Sequence, residues 1–155
     1  MKLHVLQTTQ NLPVSLDQAW DFFSDAGNLV KITPPSLGFE VVSELPPRMH
    51  AGMIIQYRVR PLLGVPVRWV TEITQVDEPR LFVDEQRFGP YRFWHHQHHF
   101  REIPGGVEAR DIVHYALPPG GGAARRWLVT PRLNEIFDYR RRVLERTFGP
   151  WKASP

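Results

Sequence analysis

A chain of 155 residues with 42% hydrophobic and 23% charged side chains has the size and make-up of one globular domain. No apolar run approaches the roughly 20 residues that a membrane-spanning helix needs, and the lack of cysteine excludes disulfide frameworks and thiol chemistry. The net charge of +3 comes almost wholly from arginine, with Lys2, Lys31 and Lys152 the only lysines.

The opening MKLHVLQTTQ has one lysine followed by alternation, not the apolar stretch of a secretory leader, so a cytoplasmic location is expected. Near the other end, Arg125, Arg126, Arg132, Arg140, Arg141, Arg142 and Arg146 are interleaved with Glu135, Asp138 and Glu145. That pattern reads as a solvated helix face, and with no recognisable nucleic-acid module no nucleic-acid partner is expected. Residues 1–150 are expected to form one domain, with 151–155 a short tail.

In chain order, LHVLQTTQNL alternates as a strand ending near Pro13. Ser15 and Gln18 have the spacing of a capping box, and Leu16, Ala19, Trp20 and Phe23 recur on one helical face. NLVKITPP predicts one more helical turn, halted by Pro34 and Pro35.

Then come GFEVVSEL, MIIQYRVR, VPVRWVTEITQV, RLFVDEQRF, YRFWHHQHHF and GVEARDIVHYAL, six strand-like segments joined by turn-like stretches. They predict an antiparallel meander. PPGGGAA leads into a long helix in which Leu133, Ile136, Phe137, Arg140, Val143, Leu144 and Phe148 keep a 3.6-residue period. Pro131 belongs to its first turn or kinks it, and GGGAARR reads as a hinge because it lacks the context of a phosphate-binding loop.

The segment FWHHQHHF places four histidines in five positions. On a strand these divide between two faces, with Trp94, His96, His98 and Phe100 on one and Phe93, His95, Gln97 and His99 on the other. Pro104 cannot donate to a ladder, so a loop of Ile103-Pro104-Gly105-Gly106 is expected, pairing Glu102 with Val107. That register sets His98 opposite Asp111, His96 opposite Val113 and Trp94 opposite Tyr115. A two-residue turn at Gly89-Pro90 pairs Phe88 with Tyr91, and so sets Trp94 opposite Glu85 and His96 opposite Val83. The inner face then gathers Glu85, Trp94, His96, His98, Asp111 and Tyr115, ringed by Leu81, Val83, Phe100, Ala109 and Val113.

The segments AWDFFSD, NLVKITPP, FGPYRFWHHQHHF and DIVHYALPPG, set in this order of elements, resemble the START-like, or SRPBCC, superfamily. Its members include the birch-pollen allergen and polyketide cyclases. More narrowly, the segments resemble bacterial ligand-binding members, some of which carry the label "cell division inhibitor". The resemblance implies an α+β helix-grip fold, β-α-α-β6-α in order, whose curved antiparallel sheet wraps the last helix around an internal cavity. A small apolar or amphipathic molecule is the implied partner. Tyr57, Trp69, Trp94, Tyr115 and Phe137 are the candidate apolar walls, and Glu85, His96, His98 and Asp111 the candidate polar end. Trp20, Phe22, Phe23 and Trp127 read as core aromatics rather than a cavity mouth.

Three uses of the histidines are open. His96 and His98 could converge on a metal with Asp111 or Glu85 as a third ligand, but hydrogen bonding to a carboxylate satisfies the same groups, so neither a metal nor a cofactor is expected. They could move protons in a cyclase or dehydratase reaction with Asp111 orienting them, making His96, His98 and Asp111 the catalytic candidates. No nucleophile elbow accompanies them. The third use is a satisfied polar network that fixes strand pairing and shapes a cavity floor. Binding of a small apolar or aromatic ligand is thus the expected function, with enzymatic turnover and a protein-interaction role as the alternatives, and oligomeric state is not legible.

Overall fold

The computed structural model describes residues 2–60, 65–119 and 128–152. The PLLG turn, the GGGAARR segment and Trp127 lie outside the described residues. The elements run β1 (His4–Leu12), α1 (Leu16–Ser24), two 3-10 turns (Ala26–Val30 and Pro35–Leu37), β2 (Glu40–Val41), β3 (Ile54–Val59), β4 (Val67–Asp77), β5 (Leu81–Phe88), β6 (Phe93–Ile103), β7 (Gly106–Ala116) and α2 (Thr130–Phe148). The strands make one antiparallel sheet in the order β1-β7-β6-β5-β4-β3-β2. This is the helix-grip arrangement: a meander from β2 to β7, with β1 returning to pair beside β7. Among the described residues, no helix is long and apolar enough to cross a membrane.

The start of α1 follows from its sequence. The Ser15 hydroxyl accepts from the Gln18 backbone N–H at 3.2 Å, while the Gln18 side chain accepts from the Ser15 N–H at 3.0 Å, so two donors that the helix leaves orphaned are satisfied. Ser15→Ala is therefore expected to lower stability by about 1 kcal/mol, read as a lower denaturant midpoint at unchanged slope. Trp20, on the inner face of α1, sets its ring edge-on to Phe82 and Phe100 of the sheet.

Two local expectations are corrected. Only Glu40–Val41 of GFEVVSEL pairs as strand. Pro35 does not halt a helical turn but begins the second one, because proline's fixed φ and missing N–H suit a first helical position. The same reasoning holds at Pro131, which sits in the first turn of α2.

The β6–β7 register is the one expected: Glu102 pairs with Val107, His98 with Asp111, His96 with Val113 and Trp94 with Tyr115. The loop itself is shorter, since Ile103 also pairs with Gly106 and leaves Pro104-Gly105 as the turn. Gly105 takes φ 88°, as the residue after proline in a type II turn must. Gly106 is required for another reason: a Cβ there would lie 2.0 Å from the Leu12 carbonyl oxygen and 3.0 Å from the Trp151 ring. The start of the C-terminal tail thus lies against the β6–β7 hairpin.

The β5–β6 register differs by one residue from expectation. Asp84 pairs with His96, Glu85 with His95 and Phe82 with His98. The cause is the Gln86 side chain, which donates to the Tyr91 carbonyl at 2.6 Å and accepts from the Tyr91 N–H at 3.2 Å. A side-chain amide stands where a tight turn would use backbone, and residues 89–92 form a wider loop. Because strand side chains alternate, this single step exchanges faces along all of β5. Phe82 and Asp84 turn inward, while Leu81, Val83 and Glu85 turn to the other face.

Candidate functional site

β5, β6, β7 and α2 converge on a cluster of five polar side chains, with His96, His98 and Arg140 buried and Asp84 and Asp111 partly buried. His96 and His98 are 5% and 7% exposed, and Arg140 of α2 is 6% exposed. Each imidazole touches both carboxylates. His96 Nε2 lies 2.7 Å from Asp111 Oδ1 and its Nδ1 lies 3.3 Å from Asp84 Oδ2. His98 Nε2 lies 2.8 Å from the same Asp84 Oδ2, and its Nδ1 lies 3.1 Å from Asp111 Oδ1. Arg140 Nη1 donates to Asp111 Oδ1 at 3.2 Å, and the Trp94 indole N–H donates to Asp84 Oδ1 at 3.3 Å. The two rings lie 3.8 Å apart, and His98 stacks on Phe82 at 4.0 Å.

The charges follow from these contacts. Burial opposes ionisation of Asp111, but Arg140 and the hydrogen bonds from His96 and His98 outweigh it and hold the carboxyl well below its ordinary range. Burial likewise opposes ionisation of Asp84 and is outweighed by the charges of His96 and His98 and by its hydrogen bonds, so its carboxyl is held below the ordinary value. The histidines diverge. Burial and the neighbouring His98 charge push His96 down, whereas for His98 burial is overcome by its bonds to Asp111 and Asp84, which raise it. Because both imidazoles touch the same two carboxylates, the histidines titrate as a coupled pair.

The cluster borders a pocket of about 180 Å³ lined by residues of the sheet, α1, the 3-10 turns and α2. Tyr57, Trp69, Trp94, His96, His98 and Phe137 all line it. Tyr57 and Trp69 face each other across β3 and β4, and Trp69 meets the Trp94 ring edge-on at 5.3 Å. Burial, with a smaller contribution from the Asp84 charge, raises the Tyr57 hydroxyl far above its usual range, so it stays protonated. Phe22 and Phe23 also line the pocket, and Trp20 is buried in the core.

Asp111 and Tyr115 stand one layer back from the pocket. Asp111 reaches it through His96, His98 and Arg140, and Tyr115 packs against Trp94 and Tyr91. Glu85 is the clear correction. It faces away from the pocket, where it bonds Arg87 and Thr74, because of the one-residue step in β5–β6; Asp84 is the carboxylate on the inner face. Glu85→Gln is accordingly expected to change stability by no more than about 0.5 kcal/mol, as for surface substitutions generally, checked by thermal unfolding beside the wild type.

The sequence reading also missed Arg140 and Arg132. Both line the pocket, and the buried Nε atom of each has no hydrogen-bond partner among the described residues. Arg140 had a visible signal: a charged residue at a core position of the α2 apolar stripe, with Phe137 before it and Leu144 after it. Such a residue is seldom fully buried unless paired.

The sequence matches the family model for "polyketide cyclase / dehydrase and lipid transport" over residues 12–141. The chain belongs to this family. Its fold is shared with solved members of the START-like, or SRPBCC, superfamily. An aromatase/cyclase from a Streptomyces species has a TM-score of 0.74 at 12% identity, covering 94% of this chain and 93% of that one. The protein TTHA0849 from Thermus thermophilus has a TM-score of 0.70 at 20% identity, with 92% and 95% covered. A START superfamily protein from Mycobacterium smegmatis has a TM-score of 0.67 at 12% identity, with 93% and 99% covered. No curated protein matches the chain in sequence. At these identities the solved structures speak to the fold, and the site has to be read from this family member's own residues.

Proposed function

We propose that this protein binds a small apolar or aromatic molecule in the pocket between its sheet and α2. The observation that carries the reading is an apolar-walled pocket bordered by one connected set of buried polar groups. Phe22, Phe23, Ile55, Trp69, Trp94 and Phe137 supply walls, while His96, His98, Asp84 and Arg140 supply the polar end. Apolar surface with a few convergent polar groups is the ordinary composition of a small-molecule site.

Size and polarity narrow the ligand. A cavity of about 150 Å³ holds benzene, so a pocket of about 180 Å³ suits one substituted ring or a short aliphatic chain. The Nε of Arg140, without a partner among the described residues, leaves a buried donor in reserve, and a ligand carrying an acceptor oxygen would satisfy it. Calorimetric titration with benzene-sized alcohols and phenols tests the reading. Saturable binding with a negative heat-capacity change, the mark of apolar burial, is the expected result. No saturable heat from any such compound would overturn it.

A second reading, acid–base chemistry of the cyclase or dehydratase kind, is favoured by one observation. His96 and His98 line the pocket with Asp111 behind both rings, so a substrate that displaces a ring nitrogen from Asp84 could exchange a proton with it. Turnover that vanishes in His96→Ala would support it, and turnover unchanged in that variant would remove His96 from the chemistry.

A further inference from the structure

We infer that Asp84, His96 and His98 form a binding site for one divalent transition-metal ion. Its remaining coordination positions open into the pocket. Asp84 Oδ2 is the point on which two imidazoles converge, with His96 Nδ1 at 3.3 Å and His98 Nε2 at 2.8 Å. One ligand atom from each of these three residues lies within 4.8 Å of the other two. Ligands held tetrahedrally about 2.0–2.1 Å from zinc stand about 3.3 Å apart. The first distance already has that value, and the second reaches it if the Asp84 carboxylate backs away by about half an ångström. All three residues line the pocket.

The surroundings have the form of an outer shell. Metal-bound histidines donate their far N–H to a carboxylate or carbonyl, which fixes tautomer and ring orientation. Here both far nitrogens, His96 Nε2 and His98 Nδ1, meet the same Asp111 Oδ1 at 2.7 and 3.1 Å. Arg140 holds that carboxylate in turn at 3.2 Å. The Trp94 indole donates to Asp84 Oδ1, leaving Oδ2 for the ion. Arg140 also decides which side of the histidine pair the ion takes. A dication beside Asp111 would face a guanidinium, whereas among the described residues Asp84 is contacted by His96, His98 and Trp94. Two histidines and one carboxylate with open positions suit zinc or iron(II) more than magnesium or calcium. This site stands whether or not the pocket also takes an organic molecule.

The test uses full-length protein without a histidine tag, stripped by a chelator and titrated with cobalt(II). The expected result is a visible d–d band of low-coordinate cobalt that saturates at one equivalent and disappears on adding zinc, which binds such sites more tightly. Two strongly shifted, exchange-protected imidazole N–H resonances should appear in the proton spectrum, one from each bond to Asp111. Asp111→Asn should weaken binding about 10–100-fold, and Asp84→Asn by about 100-fold or more, while the paired change His95→Ala/His114→Ala on the outer face leaves it unchanged. The wild-type band and resonances decide the matter even if a core variant fails to fold. Absence of a saturable low-coordinate band would overturn the site. So would binding abolished by the outer-face pair but retained in folded Asp84→Asn.

Discussion

Asp111→Ala is expected to destabilise the protein by about 3–5 kcal/mol, the cost of removing one partner from a buried ion pair. Asp111 accepts from His96, His98 and Arg140 at one oxygen. Its loss strands a buried guanidinium whose Nε already lacks a partner among the described residues, and it frees two imidazoles from their shared acceptor. Against a total domain stability of about 5–15 kcal/mol, such a variant stands near the edge of folding. The comparison is Glu108→Ala, three residues earlier on β7, which removes only the exposed Arg101–Glu108 pair and should cost about 0–1 kcal/mol. Urea denaturation of both variants checks the contrast, and near-wild-type stability for Asp111→Ala would mean that the cluster contributes little to the fold.

Phe137→Ala is the other large change, with an expected loss of about 3–5 kcal/mol for truncating a buried aromatic. The ring packs 6.0 Å from His96 and lies under the Arg140 guanidinium at 5.0 Å. Its removal takes away a pocket wall and the cation–π contact that helps position Arg140, itself worth about 0.5–2 kcal/mol. The enlarged pocket should also change which ligands fit. Fused two-ring compounds are expected to gain affinity over single-ring ones relative to the wild type. Calorimetric affinities for matched one-ring and two-ring alcohols measure this, and an unchanged ratio would place the ligand away from α2.

Much of the fold was legible because its signals are local. The Ser15–Gln18 box, the alternation of the strands and the α2 stripe each act through neighbouring residues. The β6–β7 register was legible for a steric reason, since Pro104 restricts where the turn can fall. The β5–β6 register was not, because it depends on the Gln86 side chain replacing backbone partners of Tyr91. Composition and alternation carry no trace of that substitution. One step of register put Glu85 in the place of Asp84, so the expected cluster had the right histidines and one wrong carboxylate. Arg140 was missed because sequence periodicity puts it on the buried stripe without naming the acid on β7 that makes burial tolerable.

The pocket itself is best tested by closing it. Thr71 is 4% exposed, lies on β4 opposite Ile55 and lines the pocket, so Thr71→Phe projects a ring into the space proposed for the ligand. Native mass spectra of the wild type and folded Thr71→Phe, each incubated with the same panel of small aromatic alcohols, compare their uptake. One equivalent on the wild type, reduced at least about tenfold on the variant, a difference of about 1.4 kcal/mol or more, is the expected result. Equal uptake by the two proteins would contradict binding in this pocket.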